Sequence, residues 1–194
     1  MSYAAQLWLF FVLVFGAVIV PGMDMAFILG SALTGGRRNG FAAVGGAVAG
    51  AACHSVFAAV GIGLVLKALP WAFDALLFAG AAFIAWIGFG IVRSARSVRL
   101  APEAIDAAAN AGPGADAPTG AVRAAAAMHT FLRGTANNLL NPNAYLFSLA
   151  VFPQFIRPEH GALALQAVLL WSIIAATQIG VYGTVVLAAA QTQH

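Results

Sequence analysis

The sequence predicts an all-α, polytopic membrane helix bundle of five spans, with spans one and four broken at Pro21 and Pro142. Three observations carry this. Hydrophobic residues make up 62% of the 194 residues and charged residues 8%, against roughly 45–50% and about 25% in soluble domains. The apolar residues gather into runs long enough to cross a ~30 Å hydrocarbon core at ~1.5 Å per helical residue. Two of those runs contain a proline with polar residues beside it: Pro21-Gly22-Met23-Asp24 in the first, and Asn137-Asn138-Leu139-Leu140-Asn141-Pro142 in the fourth. The length leaves no room for a second, soluble domain, so 1–194 is read as a single transmembrane domain.

The first segment runs from about Ala4 to Leu33. As one straight helix it would be about 45 Å long, and a break at Pro21 resolves the excess. Met1-Ser2-Tyr3 has no basic stretch and no Ala-x-Ala cleavage site lies directly after the apolar run, so this segment is read as retained rather than as a cleaved signal peptide. Thr34–Gly40 is a polar loop. Segment two, Phe41–Leu66, is uncharged and contains Gly46-x-x-x-Gly50, a spacing that lets helix backbones approach closely. A turn at Lys67–Pro70 leads to segment three, Trp71–Val92, with Asp74 near its interfacial start. From Arg93 to about Ala121 the chain is hydrophilic and rich in alanine, glycine and proline, a long loop without a motif. Segment four is approached through Met128–Gly134 and continues past the break as Ala144–Phe152, then Pro153-Gln154-Phe155. Segment five, Gly161 to about Ala190, is uncharged and carries Gln166 and Gln178.

Charge places the membrane faces. If each segment is one crossing, Arg37, Arg38, Arg93, Arg96, Arg99, Arg123 and Arg133 share a side, and Lys67 and Arg157 lie on the other, which accounts for all nine basic residues. The positive-inside rule puts the arginine-rich side in the cytoplasm and the N-terminus outside. The net charge of +3 therefore reflects membrane topology and contact with anionic lipid heads, not nucleic-acid binding. The single cysteine, Cys53, excludes an internal disulfide and a multi-cysteine metal site. No His-x-x-x-His, Gly-x-Ser-x-Gly, paired-acid or Walker pattern occurs, so neither an enzyme nor a resident cofactor is expected.

The chemistry gathers at the two breaks. A broken helix frees carbonyl and N–H groups that lipid cannot satisfy, so they face protein, water or a solute. An acid at membrane depth costs roughly 2.5–3.5 kcal/mol on insertion scales and marks function. Asp24 has three readings: a proton- or cation-coupling carboxylate, a ligand for a solute amine, or a cap for the second half of the broken helix. The candidate substrate-binding residues are Pro21, Gly22, Asp24, Asn137, Asn141 and Pro142; Asn138 is not placed among them. The candidates for proton coupling are Asp24 and His54, since histidine titrates near pH ~6.5. His54 equally suits a hydrogen bond between helices, and Gln178 is read as interhelical glue. Two proline-broken segments in corresponding halves suggest an inverted-repeat secondary transporter, with a first repeat at 4–92, a polar loop at 93–122 and a second repeat at 123–194. Glycine faces on the spans suit a homodimer.

At these residues the sequence resembles the LysE/RhtB family of bacterial amino-acid exporters. The resemblance rests on Pro21-Gly22-Met23-Asp24, Gly36-Arg37-Arg38-Asn39-Gly40, His54, Asn137-x-x-x-Asn141-Pro142 and Pro153-Gln154-Phe155, in order along about Ala5 to Ala190. Met23 stands where the family commonly has a second proline. Family members carry one further apolar segment, whereas this chain stops at His194 after segment five, so the second repeat reads as incomplete. The resemblance implies a secondary exporter of amino acids or similar small metabolites in the bacterial inner membrane, driven by the proton gradient through alternating access. The alternative is a non-transporting accessory or degenerate subunit that completes its fold with a partner.

Overall fold

A computed structural model describes residues 2–68 and 120–191, together with positions 75, 78, 81, 82 and 85. The remainder of the third apolar segment, Asp74, and the polar loop up to position 119 lie outside the described residues. Every regular element among those described is helical. Among the described residues, two helices, Met23–Gly61 and Leu163–Gln191, are long and apolar enough to cross a membrane.

Helix α1, Tyr3–Ile19, starts where Ser2 Oγ accepts the Ala5 N–H at 3.2 Å. It stops because Val20 precedes a proline: steric clash drives that residue out of the helical region, and Val20 is extended at φ −70°, ψ 123°. Helix α2, Met23–Ala68, begins beyond the break, with the Ala26 N–H donating to the Gly22 carbonyl at 2.9 Å. The polar loop expected at Thr34–Gly40 contracts to one residue. Gly36, at φ 70° and ψ −174°, is the only non-helical position inside α2, and that left-handed φ suits glycine.

Helix α3, Gly120–Leu140, is separated from α4, Pro142–Ala150, by Asn141 alone. Pro142 has no N–H to give the Asn138 carbonyl one turn back, and the Asn141 N–H takes that oxygen instead at 3.1 Å. The short α5, Phe152–Phe155, and a 3₁₀ turn at Pro158–His160 lead into α6, Leu163–Gln191. Both expected breaks are therefore present, at Val20–Gly22 and at Asn141.

The chain forms two compact units. Unit 1 comprises Met1–Val20, Ala51–Val98 and Pro142–Ala175; unit 2 comprises Pro21–Gly50, Arg99–Asn141 and Ala176–His194. Both proline breaks coincide with passages of the chain from one unit to the other.

Unit 1 packs around Phe10, which is wholly buried. Its ring centroid lies 5.0 Å from Phe155 and 6.4 Å from both Phe147 and Phe152. Buried Gln166 fastens the turn before α6: its Oε1 accepts the Arg157 N–H at 2.9 Å, and its Nε2 donates to the Arg157 and Gly161 carbonyls at 2.7 and 3.1 Å. Gly161 sits at φ 105°. Gln166→Leu strands all three backbone groups, at about 1–3 kcal/mol for each one left buried. Its expected result is a lower thermal midpoint in detergent; an unchanged midpoint contradicts this role.

Unit 2 is built on small residues. A Cβ at Gly46 would overlap the Phe131 carbonyl of α3 and stand 2.8 Å from the Thr135 nitrogen; one at Gly134 would stand 2.8 Å from the Ala43 carbonyl. The Gly46-x-x-x-Gly50 spacing thus does what close helix approach requires. It presses α2 onto α3 backbone to backbone, and Gly50 faces the Asn138 side chain. In unit 1, by contrast, Trp8, Phe57 and Leu165 are 68%, 73% and 72% exposed.

Candidate functional site

Asp24 lies in the first turn of α2, immediately past the break, and is buried. Met23 opens the helix and Gly22 holds the capping position, so Asp24 is already inside the helix, two positions beyond the cap. Its carboxylate turns to α3 instead. Asn137 Nδ2 donates to Oδ1 at 2.8 Å, and Asn138 and Asn141 Nδ2 donate to Oδ2 at 2.8 and 3.2 Å. An ionised carboxylate only accepts, with about four lone-pair sites on its two oxygens. Three of these are taken by amides rather than by cations.

The local structure explains how three donors converge. Asn137 and Asn141 are four residues apart and Asn138 and Asn141 three apart, so all three share one helix face. Asn141 leaves the helix at the break, which lets its side chain reach the same oxygen as Asn138. Gly50 leaves room for Asn138: a Cβ there would come within 2.6 Å of Asn138 Oδ1. Asn138 is 1% exposed, the most enclosed of the three, while Asn137 is half-buried.

Unit 2 holds further polar side chains. Tyr182 of α6 is buried and within electrostatic reach of the Asp24 carboxylate. Gln178, one turn earlier on α6, is also buried, and its Oε1 has no hydrogen-bond partner among the described residues. Arg133, one turn before Asn137, holds its guanidinium over the Phe27 ring at 6.0 Å.

Of the residues singled out from the sequence, Asp24, Asn137 and Asn141 therefore meet, with Pro21 and Gly22 exposed just before Asp24 and Pro142 exposed just after Asn141. Asn138, set aside in the sequence reading, belongs to the cluster. Its spacing of three from Asn141 signals a shared helix face as well as Asn137's spacing of four does. His54 belongs to unit 1, where it is buried and its ring stands 6.2 Å from that of Tyr145. Nothing local to the sequence marks Tyr182, an aromatic residue within an apolar run.

Known proteins give the cluster its context. The chain is 26% identical to a threonine efflux protein of Escherichia coli over 148 residues, covering 76% of this chain and 65% of that relative. It is 27% identical to a homoserine/homoserine lactone efflux protein of Salmonella typhimurium over 168 residues, covering 87% of this chain and 73% of the relative. It is 28% identical over 168 residues to an uncharacterised membrane protein of Pseudomonas aeruginosa. The chain thus spans a little under two thirds of the length of the threonine efflux protein. No solved structure matches it. The family model of the LysE type translocator matches residues 8–194, nearly the whole length, and the chain belongs to that family of membrane transport proteins.

Proposed function

We propose that this chain is a secondary exporter of small polar amino acids, driven by the proton gradient through alternating access. One observation carries the reading: a buried carboxylate at a proline break, held by three asparagines from a second broken segment. A zwitterionic amino acid needs acceptors for its ammonium group and donors for its carboxylate. The cluster supplies both, through Asp24 and through amides that can exchange partners. Pro21, Gly22 and Pro142 contribute by keeping the adjoining backbone out of helical hydrogen bonding. The names of the relatives, threonine and homoserine efflux proteins, support a small hydroxylated substrate.

Asp24 is the first candidate for the coupling proton and His54 the second. Export then exchanges solute leaving the cytoplasm for protons entering it. In this reading the protein lies in the bacterial inner membrane with its arginine-rich loops cytoplasmic and its N-terminus outside, as the positive-inside rule requires. The two halves are inverted repeats, at 4–92 and from 123 onward, joined by the polar loop. Lipid surrounds the bundle, and its small-residue faces suit pairing with a second copy.

The test is export of a panel of labelled amino acids from cells expressing the chain, with and without an uncoupler. Uncoupler-sensitive efflux of threonine or homoserine is expected, and uncoupler-insensitive efflux contradicts proton coupling. Within the cluster, Asn138→Ala is expected to lower export by about tenfold or more, and Asn137→Ala by less. Asn138 is the more enclosed, and leaving a buried charged partner short of a donor costs most where water cannot replace it. Equal small losses from both would contradict this ordering.

A further inference from the structure

Gln178 poses a problem the cluster itself does not solve. It is 4% exposed, yet its Oε1 has no hydrogen-bond partner among the described residues. A buried carbonyl oxygen left without a donor costs about 1–3 kcal/mol. In a membrane protein no lipid group can relieve it.

Val186 meets Gly40, and Gly40 meets Ala32: a Cβ at Gly40 would stand 2.7 Å from Val186 Cγ1 and 2.9 Å from Ala32 Cβ. Those three residues share one level. From Ala32 back to Asp24 is eight residues, and from Val186 back to Gln178 is also eight, about 12 Å of helix in each case. A Cβ at Gly183 would stand 3.6 Å from Phe41 Cε1, one residue farther from the Gly36 bend than Gly40, so counting back along α6 runs away from that bend, as counting back from Ala32 to Asp24 does; Tyr182, midway along the path, interacts with the Asp24 charge. Gln178, Tyr182 and Val186 follow at steps of four on one stripe of the helix, and all three are buried. The unsatisfied oxygen therefore comes level with the carboxylate cluster.

We propose that Gln178 is a solute-binding residue, whose Oε1 accepts an N–H of the exported amino acid's ammonium group alongside Asp24. The carboxylate has about one lone-pair site left after its three amide donors. An ammonium carries three donors and needs more than that. Gln178 supplies the next acceptor. This rests on the exporter reading above and assigns a ligand to it.

The test measures equilibrium binding of labelled L-threonine to the full chain purified in detergent, for wild type, Gln178→Met and Gln178→Glu. Met keeps the size and removes the acceptor; Glu keeps both. Gln178→Met is expected to raise Kd by about tenfold or more, while Gln178→Glu stays within about threefold of wild type. Thermal midpoint and elution profile report the fold. Wild-type binding of L-threonine with equal binding by Gln178→Met overturns the proposal and leaves the exporter reading intact. Loss in both variants, with the fold retained, also overturns it, because an acceptor is then not what matters. If Gln178→Met fails to fold, Gln178→Glu decides alone: retained affinity supports the proposal and lost affinity overturns it. A wild-type chain that binds neither L-threonine nor L-homoserine overturns the exporter reading and this proposal together.

Discussion

Asp24→Asn is expected to abolish export while leaving the protein inserted and folded. The substitution keeps the shape of the side chain and replaces one acceptor oxygen with an NH₂ group. That group would then meet an asparagine donor, either Asn137 or the Asn138–Asn141 pair. Each asparagine amide carries both a carbonyl and an NH₂, so rotating one neighbour restores a donor–acceptor match. The fold cost is therefore of the order of one displaced hydrogen bond, about 0.5–1.5 kcal/mol. The functional cost is much larger. A carboxamide has no negative charge to offer an ammonium group and cannot carry a proton across the membrane. Membrane insertion, elution profile and export measured on one expressed sample separate the two costs. Export at the wild-type rate would remove Asp24 from the mechanism.

Gly46→Leu is expected to have a large structural effect in unit 2. The three atoms nearest the new Cβ are all backbone atoms of α3: the Phe131 carbonyl, the Thr135 nitrogen at 2.8 Å and the Gly134 carbonyl carbon at 3.0 Å. Backbone atoms cannot step aside as a side-chain tip can, so α3 must move away from α2. Overpacking typically costs about 1–3 kcal/mol in adaptable cores, and this contact has no adaptable partner. The displaced helix carries Asn137 and Asn138, whose bonds to Asp24 at 2.8 Å would lengthen beyond hydrogen-bonding range. A lower thermal midpoint and lost export are expected together. Gly30→Ala is the control, because nothing lies within 4 Å of a Cβ there. Equal behaviour of the two variants would contradict the close α2–α3 contact.

The sequence made the helical bundle and its two breaks legible because those features are local. A missing N–H at Pro21 or Pro142 acts within one turn, and the structure breaks at Val20–Gly22 and at Asn141. The contraction of Thr34–Gly40 to a single bend at Gly36 was not legible: polar residues signal a loop, but helix continues wherever one glycine can absorb the turn. The cluster was half legible. Asp24 and the asparagines could be listed as candidates, but their meeting joins positions 113, 114 and 117 residues apart, and no local pattern records it. Nor does any pattern show that Gly50 makes room for Asn138, or that Gln178 Oε1 is buried with no hydrogen-bond partner among the described residues.

The most direct test places the purified chain in inside-out liposomes with an acidic lumen and follows labelled L-threonine. Accumulation that collapses when a protonophore dissipates the gradient, and that is absent in Asp24→Asn, is expected. Accumulation that persists without the gradient, or that Asp24→Asn supports at the wild-type rate, would contradict that expectation.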